Sequence, residues 1–298
     1  MKNDKNHVVV GIGEILWDML PEGRKLGGAP ANFAYHVSQL GFCSRIVSAV
    51  GYDMPGDDIL NILRAKSLDT DFIERIDRPT GTVEISIDGK GIPEYSIKDN
   101  VAWDNIPFTD KLARLAAKTK AVAFGSLAQR HHVSAKTINA FLDAIPEENE
   151  ALKIFDINLR QDFYDRNTVE RSLHKCNILK LNDEETDIIS RMTGISGTIE
   201  QVVDTIRKRY SIGILILTCG TKGSYVFGHD TMSFLPTPKV KTADTVGAGD
   251  SFTAAFTASI LQGKSIKEAH KAAVDVSAFV CTQYGAMPAL PDTLRNIF

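Results

Sequence analysis

The chain has 298 residues, enough for one large α/β domain with a small appendage, so two full domains are not required. Its 43% hydrophobic and 24% charged residues exclude a long disordered or collagen-like tract. With 34 basic against 37 acidic residues and a formal charge of −3, it carries no broad footprint for nucleic acid or an anionic membrane, which leaves a small molecule as the expected partner.

Met1-Lys2-Asn3-Asp4-Lys5 runs straight into a short strand, Val8-Val9-Val10-Gly11-Ile12, where a signal peptide would place its hydrophobic stretch. No run reaches the about 18 apolar residues of a membrane span, so a cytoplasmic protein is expected. Further on, Gly27-Gly28-Ala29-Pro30-Ala31-Asn32 opens a helical pattern from Ala31 to Leu40, and Arg45 to Val50 reads as a second strand. The alternating Thr82-Val83-Glu84-Ile85-Ser86-Ile87, then Asp88-Gly89, then Glu94-Tyr95-Ser96-Ile97, predicts a hairpin. It is read as a flap at an edge or over a cleft, and an antiparallel extension of the main sheet fits the pattern equally well. Helices are expected over Asp110 to Lys118, Ser134 to Ile145, Glu184 to Met192 and Ile199 to Arg209. Between them lie the apolar runs Ala121 to Phe124, Lys153 to Ile157, Ile178 to Leu181 and Ile214 to Leu217. Continuous apolar strands alternating with helices predict a three-layer α/β fold with a mostly parallel sheet covered on both faces.

Near the end of the chain, Phe252, Phe256 and Ile260 recur every four residues, which starts a helix near Gly249 or Asp250. The preceding Gly247-Ala248-Gly249 lets the backbone approach a ligand, and the helix start offers unpaired N–H groups and a positive dipole end. That combination suits an anion. A carboxylate beside a bound phosphate makes chemical sense if Asp250 accepts the proton of an attacking hydroxyl. The same residues read equally well as a tight turn and a helix cap. Asp18, Gly28 and an exposed Asn32 would suit the hydroxyls of a sugar. Gly11-Ile12-Gly13-Glu14 lacks the third glycine of a dinucleotide fingerprint, and no phosphate-binding G-x-x-x-x-G-K-[ST] loop occurs. The four cysteines form no C-x-x-C pair and are expected to be reduced, and the adjacent His131 and His132 complete no metal-ligand spacing.

Taken together, Gly27 to Asn32 and Asp244-Thr245-Val246-Gly247-Ala248-Gly249-Asp250 resemble the two signatures of the PfkB/ribokinase family of carbohydrate kinases, and the resemblance spans nearly the whole chain. Asn182-Asp183-Glu184-Glu185 is similar to that family's N-x-x-E motif, and Thr218-Cys219-Gly220-Thr221-Lys222-Gly223 to its nucleotide-binding strand and turn. The resemblance implies one ribokinase-like domain over residues 1–298, with a small β lid from about 82–97 and about 14–28. It implies ATP and Mg²⁺ as co-substrates, with Asp250 as base and the amides of Gly247, Ala248 and Gly249 as anion hole. Asn182 and Glu185 would organise Mg²⁺ through water, whereas without the resemblance Glu185 reads as a charge on a solvated helix face. Thr218, Gly220 and Gly223 would line the nucleotide site.

Within the family the Ala29-Pro30 variant, Phe124-Gly125-Ser126-Leu127 and Asp156-Ile157-Asn158-Leu159-Arg160 look most like fructokinases. Asp18, Gly28, Asn32 and Arg160 become the sugar-side residues, and Arg160 reads equally as an ion-pair partner of Asp156 or Asp162. Asp244 fits the acid of a monovalent cation site, for K⁺, although Ala289 stands where ribokinases tend to carry a Ser oxygen. A homodimer is compatible with the family. The resemblance implies phosphorylation of fructose at its 6-hydroxyl, with 2-keto-3-deoxygluconate, ribose and nucleosides as alternative substrates and a non-catalytic sugar-binding regulator as the alternative of another class.

Overall fold

The computed structural model describes residues 8–20, 23–87 and 93–298. Its strands are β1 (Val8–Ile12), β2 (Leu16–Leu20), β3 (Gly23–Gly27), β4 (Cys43–Gly51), β5 (Ile73–Ile76), β6 (Gly81–Ile87), β7 (Pro93–Ile97), β8 (Thr119–Phe124), β9 (Leu152–Asp156), β10 (Ile178–Asn182), β11 (Ile214–Thr218), β12 (Ser224–Phe227) and β13 (Met232–Leu235). The helices are α1 (Ala29–Gln39), α2 (Met54–Ala65), α3 (Asp110–Ala116), α4 (His132–Asp143), α5 (Arg166–Lys175), α6 (Asp183–Thr193), α7 (Ile199–Tyr210), α8 (Ala248–Leu261), α9 (Ile266–Cys281) and α10 (Asp292–Arg295).

Nine strands form one sheet in the order β13-β12-β11-β10-β9-β8-β1-β4-β5. Every neighbouring pair from β11 across to β5 is parallel, and at one edge β12 alone is reversed, pairing antiparallel with both β11 and β13. The strands are apolar on both sides because both sides are covered. Val8, Val10 and Ile12 pack with Leu112, Phe141, Leu173 and Ile206 of α3, α4, α5 and α7, while Val9 faces Phe33, Phe252, Phe256 and Val276 of α1, α8 and α9. This is the three-layer arrangement that the alternation of elements predicts.

The remaining four strands make a second sheet in the order β3-β2-β6-β7. The β6–β7 pair is the expected hairpin, and it belongs to this separate sheet, which overturns its reading as an extension of the main one. The Asp88-Gly89 turn lies outside the described residues. β2 pairs β3 antiparallel and β6 parallel, so residues on either side of α1 and α2 in sequence meet in one sheet. The indole Nε1 of Trp17 on β2 donates to Pro55 O at 3.0 Å and ties this sheet to the start of α2. All four cysteines are free, and only Cys176 is fully buried. Among the described residues no helix is long and apolar enough to cross a membrane.

Candidate active site

In parallel strands the carboxyl ends share one edge, which is where open α/β sheets place their ligands. Asp156, Asn182 and Thr218 are the last residues of β9, β10 and β11, and the N-termini of α1 and α8 arrive at the same edge. A narrow cleft there is lined by Pro30, Phe33, Phe124, Gly125, Asp156 and Asp250.

α8 starts at Ala248, ahead of the expected Gly249 or Asp250, with Gly247 as its N-cap at φ 78°, so Asp250 lies within the helix and is not its cap. This left-handed conformation suits glycine, and a Cβ would also sit 2.7–2.8 Å from Ala286 of the late loop, so the turn needs a residue without a side chain. The amide of Ala248 is directed at Thr245 O, a long contact of 3.3 Å. The amides of Gly247 and Gly249 have no carbonyl partner among the described residues, and they lie at the dipole's positive end.

Asp250 follows in the first turn of α8 and is partly buried. Asn32 Nδ2 donates to its Oδ2 at 2.8 Å. Burial pushes the Asp250 carboxyl up to about 6; the Asn32 bond, Lys180 and Arg160 pull it down, and the charge of Asp156 pushes it further up. A carboxyl poised there can take a proton near neutral pH. Asn32 is not the exposed residue expected from its position at a helix start. It is 3% exposed, because α1 is packed between the sheet and α8, and its Oδ1 has no partner.

Of the residues expected on the sugar side, Asn32 bonds this carboxylate, and the charge of Arg160 acts on both Asp250 and Asp18. Gly28 is the N-cap of α1 at φ 115°, and a Cβ there would fall 2.4 Å from Glu14 O. The carboxylate of Asp18 occupies space that a Cβ on Gly27 would enter at 2.5 Å. Burial raises the Asp18 carboxyl, opposed by the charges of Arg160 and Lys25. Arg160 is exposed, and its Nη1 donates to its own Leu159 O at 3.1 Å. It does not pair with Asp156, whose carboxylate is taken by Lys180 at 2.6 Å. Arg160 stands between two residues with left-handed backbone nearby, Asn158 at φ 45° and Gln161 at φ 47°.

On the other side of the edge, Asn182 and Glu185 form a capping box at the start of α6. Asn182 Oδ1 accepts from the Glu185 amide and Glu185 Oε2 from the Asn182 amide, both at 2.8 Å. Glu185 Oε1 accepts from the Leu159 amide at 2.9 Å, so this carboxylate is buried and not on the solvated face that its helix position alone suggests. Burial raises its pKa, helped by the charge of Asp156. A buried acid of this kind, lodged beside the cleft and holding backbone donors, fits the outer sphere of a hydrated Mg²⁺. Thr218 ends β11, and the turn after it is closed by the Cys219 amide donating to Gly223 O at 2.8 Å. Gly220 O accepts from Thr237 Oγ1 at 2.6 Å.

Asp244 accepts from the amides of Val246 and Gly285, each at 3.1 Å, and lies 3.5 Å from Lys25 Nζ of β3. Burial would raise this carboxyl, but the two amides and Lys25 outweigh it and hold it below the usual range. Lys25 therefore already supplies one positive charge where a K⁺ was expected.

Three groups at this edge carry no signature in the sequence reading. Lys180 is buried in the apolar run of β10, and its unfavourable burial is more than reversed by the charge and hydrogen bond of Asp156. Asp156 was visible only as part of a segment, yet it also lies 3.2 Å from Thr253 Oγ1. Glu14 is 3% exposed, and burial raises it to about 7. A charged residue inside an otherwise apolar strand or turn was the available signal for each.

The family model for the pfkB family carbohydrate kinases matches residues 22–293. The chain belongs to this family. A fructokinase of Salmonella typhimurium is 29% identical over 297 residues, covering 94% of this chain and 95% of that protein. An ATP-dependent 6-phosphofructokinase of Thermoanaerobacterium thermosaccharolyticum is 26% identical over 315 aligned positions, covering 99% of this chain and 95% of that protein. In structure, the chain matches the ATP-bound fructokinase of Xylella fastidiosa with a TM-score of 0.86 at 21% identity, covering 98% of each chain. That likeness fixes the ribokinase-like fold of this pfkB family member.

Proposed function

We propose that this carbohydrate kinase transfers the terminal phosphoryl group of ATP to the 6-hydroxyl of D-fructose, giving fructose 6-phosphate and ADP. The observation that carries the reading is Asp250: a partly buried carboxylate raised to about 6, oriented by Asn32, and set one residue after a glycine turn with unpaired amides. Asp250 takes the hydroxyl proton as the sugar oxygen forms its bond to phosphorus, and the bond from phosphorus to the bridging oxygen of ADP breaks. The amides of Gly247 and Gly249, with Ala248 joining if its long bond to Thr245 is given up, face the charge spread over the phosphoryl oxygens. Mg²⁺ would neutralise charge on the nucleotide phosphates, held through water near Asn182 and Glu185. Thr218, Gly220 and Gly223 line the nucleotide side.

Asp18, Gly28, Asn32 and Arg160 are assigned to the sugar, and the β2-β3-β6-β7 sheet to a lid over it, within one domain that spans residues 1–298. The relation to a 6-phosphofructokinase supports a second reading, phosphorylation of fructose 6-phosphate, in which the exposed Arg160 would meet the existing phosphate. Release of ADP across fructose, fructose 6-phosphate, ribose, 2-keto-3-deoxygluconate and adenosine tests both. Fructose should exceed ribose at least tenfold in kcat/KM, because polar groups placed for the extra hydroxymethyl are left unpaired by a pentose, at about 1–3 kcal/mol per buried group. Equal or greater efficiency with any other compound rejects fructose as the substrate, and no ADP release with any of them rejects the kinase reading in favour of a sugar-binding regulator.

A further inference from the structure

The buried pair of Lys180 and Asp156 lies directly beneath the glycine turn. Lys180 reaches from β10, and its Nζ lies 2.6 Å from Asp156 Oδ2 at the end of the neighbouring β9. The same oxygen lies 3.2 Å from Oγ1 of Thr253, three residues beyond Asp250 on α8, and that hydroxyl shares its single proton with Gly249 O at 2.9 Å. A Cβ on Gly249 would lie 3.3 Å from Lys180 Nζ, a tight contact that places the ammonium against the residue preceding Asp250. Two strands and one helix thus meet at a single ion pair, whose side chains are only 9% and 15% exposed.

We infer that Lys180 and Asp156 are a positioning pair for Asp250, which fixes the first turn of α8 and sets the charge of the base by two opposed fields. The inference deepens the assignment of Asp250 as base and rests on it. Asp156 disfavours the ionised form of Asp250 and Lys180 favours it, so each partner alone would leave the base mistuned in a different direction. The other groups facing Asp250 are Asn32 from α1, Arg160 from the loop after β9, and Glu14 after β1. Glu14, raised to about 7 and coupled to the charge of Asp250, titrates in the same range, so the Lys180 and Asp156 variants are compared in a Glu14→Gln background, where Asn32 and Arg160 are common to all of them.

The test compares Lys180→Met, Asp156→Asn and the double variant, all in that background, with Glu14→Gln alone in two measurements. One is the pH dependence of kcat/KM with the best sugar, and the other is the carboxyl ¹³C titration of Asp250, assigned by its disappearance in Asp250→Asn. Lys180→Met should move the acid limb upward from about 6, and Asp156→Asn should move it downward, each by about one pH unit. The double variant removes both charges together, so its limb should lie between those of the single variants. A merely structural pair would lower stability in both single variants and leave the limb in place, and that result overturns the inference, as do shifts of the same sign. If Lys180→Met does not fold, Asp156→Asn and the double variant decide it through the sign of the difference between them. Opposed ¹³C shifts in a protein that phosphorylates nothing would uphold the tuning of Asp250 and reject only the kinase reading.

Discussion

Asp250→Asn separates the chemical role of this carboxylate from its structural one, because the two make opposite predictions for stability. An acid whose folded-state pKa is raised stabilises the fold least when ionised. The penalty is absent below the unfolded value of 3.8, grows as pH rises to about 6, and is fully present above it. A rise of that size corresponds to about 3 kcal/mol, which is a ceiling because the side chain is only partly buried. Asparagine is close in shape and retains an oxygen for the 2.8 Å bond from Asn32, so the variant should be the more stable protein at pH 7.5, by about 1–3 kcal/mol, with the gain shrinking towards pH 4. Its kcat should fall by about 10² to 10⁴, as expected when a general base is removed. Urea unfolding at the two pH values and ADP release at pH 7.5 give both numbers from one preparation. A variant that is destabilised at pH 7.5 and keeps near-native kcat would reduce Asp250 to a stabilising charge in the first turn of α8 and refute the argument.

Gly28→Ala should cost about 2 kcal/mol or more and lower the melting temperature, since φ 115° disfavours a side chain and its Cβ would lie 2.4 Å from Glu14 O. Gly41→Ala is the control, because φ 87° is similarly unfavourable but nothing lies within 4 Å, and equal losses at both positions would deny the role of close approach. His270 is fully buried between Ser224 Oγ at 2.8 Å and Ser233 Oγ at 2.9 Å, and burial holds it down at about 4. Its neutral form stabilises the fold above pH 6.5 and that contribution is lost as pH falls towards 4, so the stability gap between wild type and His270→Asn should narrow over this window by up to about 3 kcal/mol. A gap that stays constant from pH 7 to pH 4 would mean that burial does not shift His270 and would overturn this assignment.

The alternation of apolar runs with amphipathic segments made the layers of the main sheet legible, because a strand covered on both faces must be apolar on both. The same rule blurred the orientation of α8, a helix legible from Phe252, Phe256 and Ile260: it is buried against α1 and α9, so this stripe shades into Ala254, Ala255 and Ala258 with little polar face. α2 escapes the sequence reading although Pro55 in its first turn and the spacing of Ile59, Leu60 and Leu63 mark it; its cap Asp53 accepts from the Gly56 amide and from the Thr80 amide, both at 2.8 Å, and the second partner lies 27 residues away. Pairing of β2 with β6 likewise joins segments separated by two helices and three strands, which no local pattern encodes.

At the active edge the difference between local and long-range information decides what could be read. Asn182 and Glu185 are three residues apart, and a capping box is visible at that distance. Its consequence is that the motif buries a carboxylate instead of displaying one, and the reading of Glu185 as a surface charge fails for a reason its own spacing contains. Lys180 and Asp156 are 24 residues apart on adjacent strands, and Thr253 lies a further 73 residues along the chain from Lys180. Only the parallel register of β9 and β10, with Asp156 opposite Lys180, brings the two charges together. An isolated ammonium in an apolar strand would be costly, so a lysine inside Ile178-Leu179-Lys180-Leu181 already demands a buried acid nearby. The sequence therefore poses the need for a partner, and the sheet supplies it at the one place where the same ion pair also supports the helix that carries Asp250.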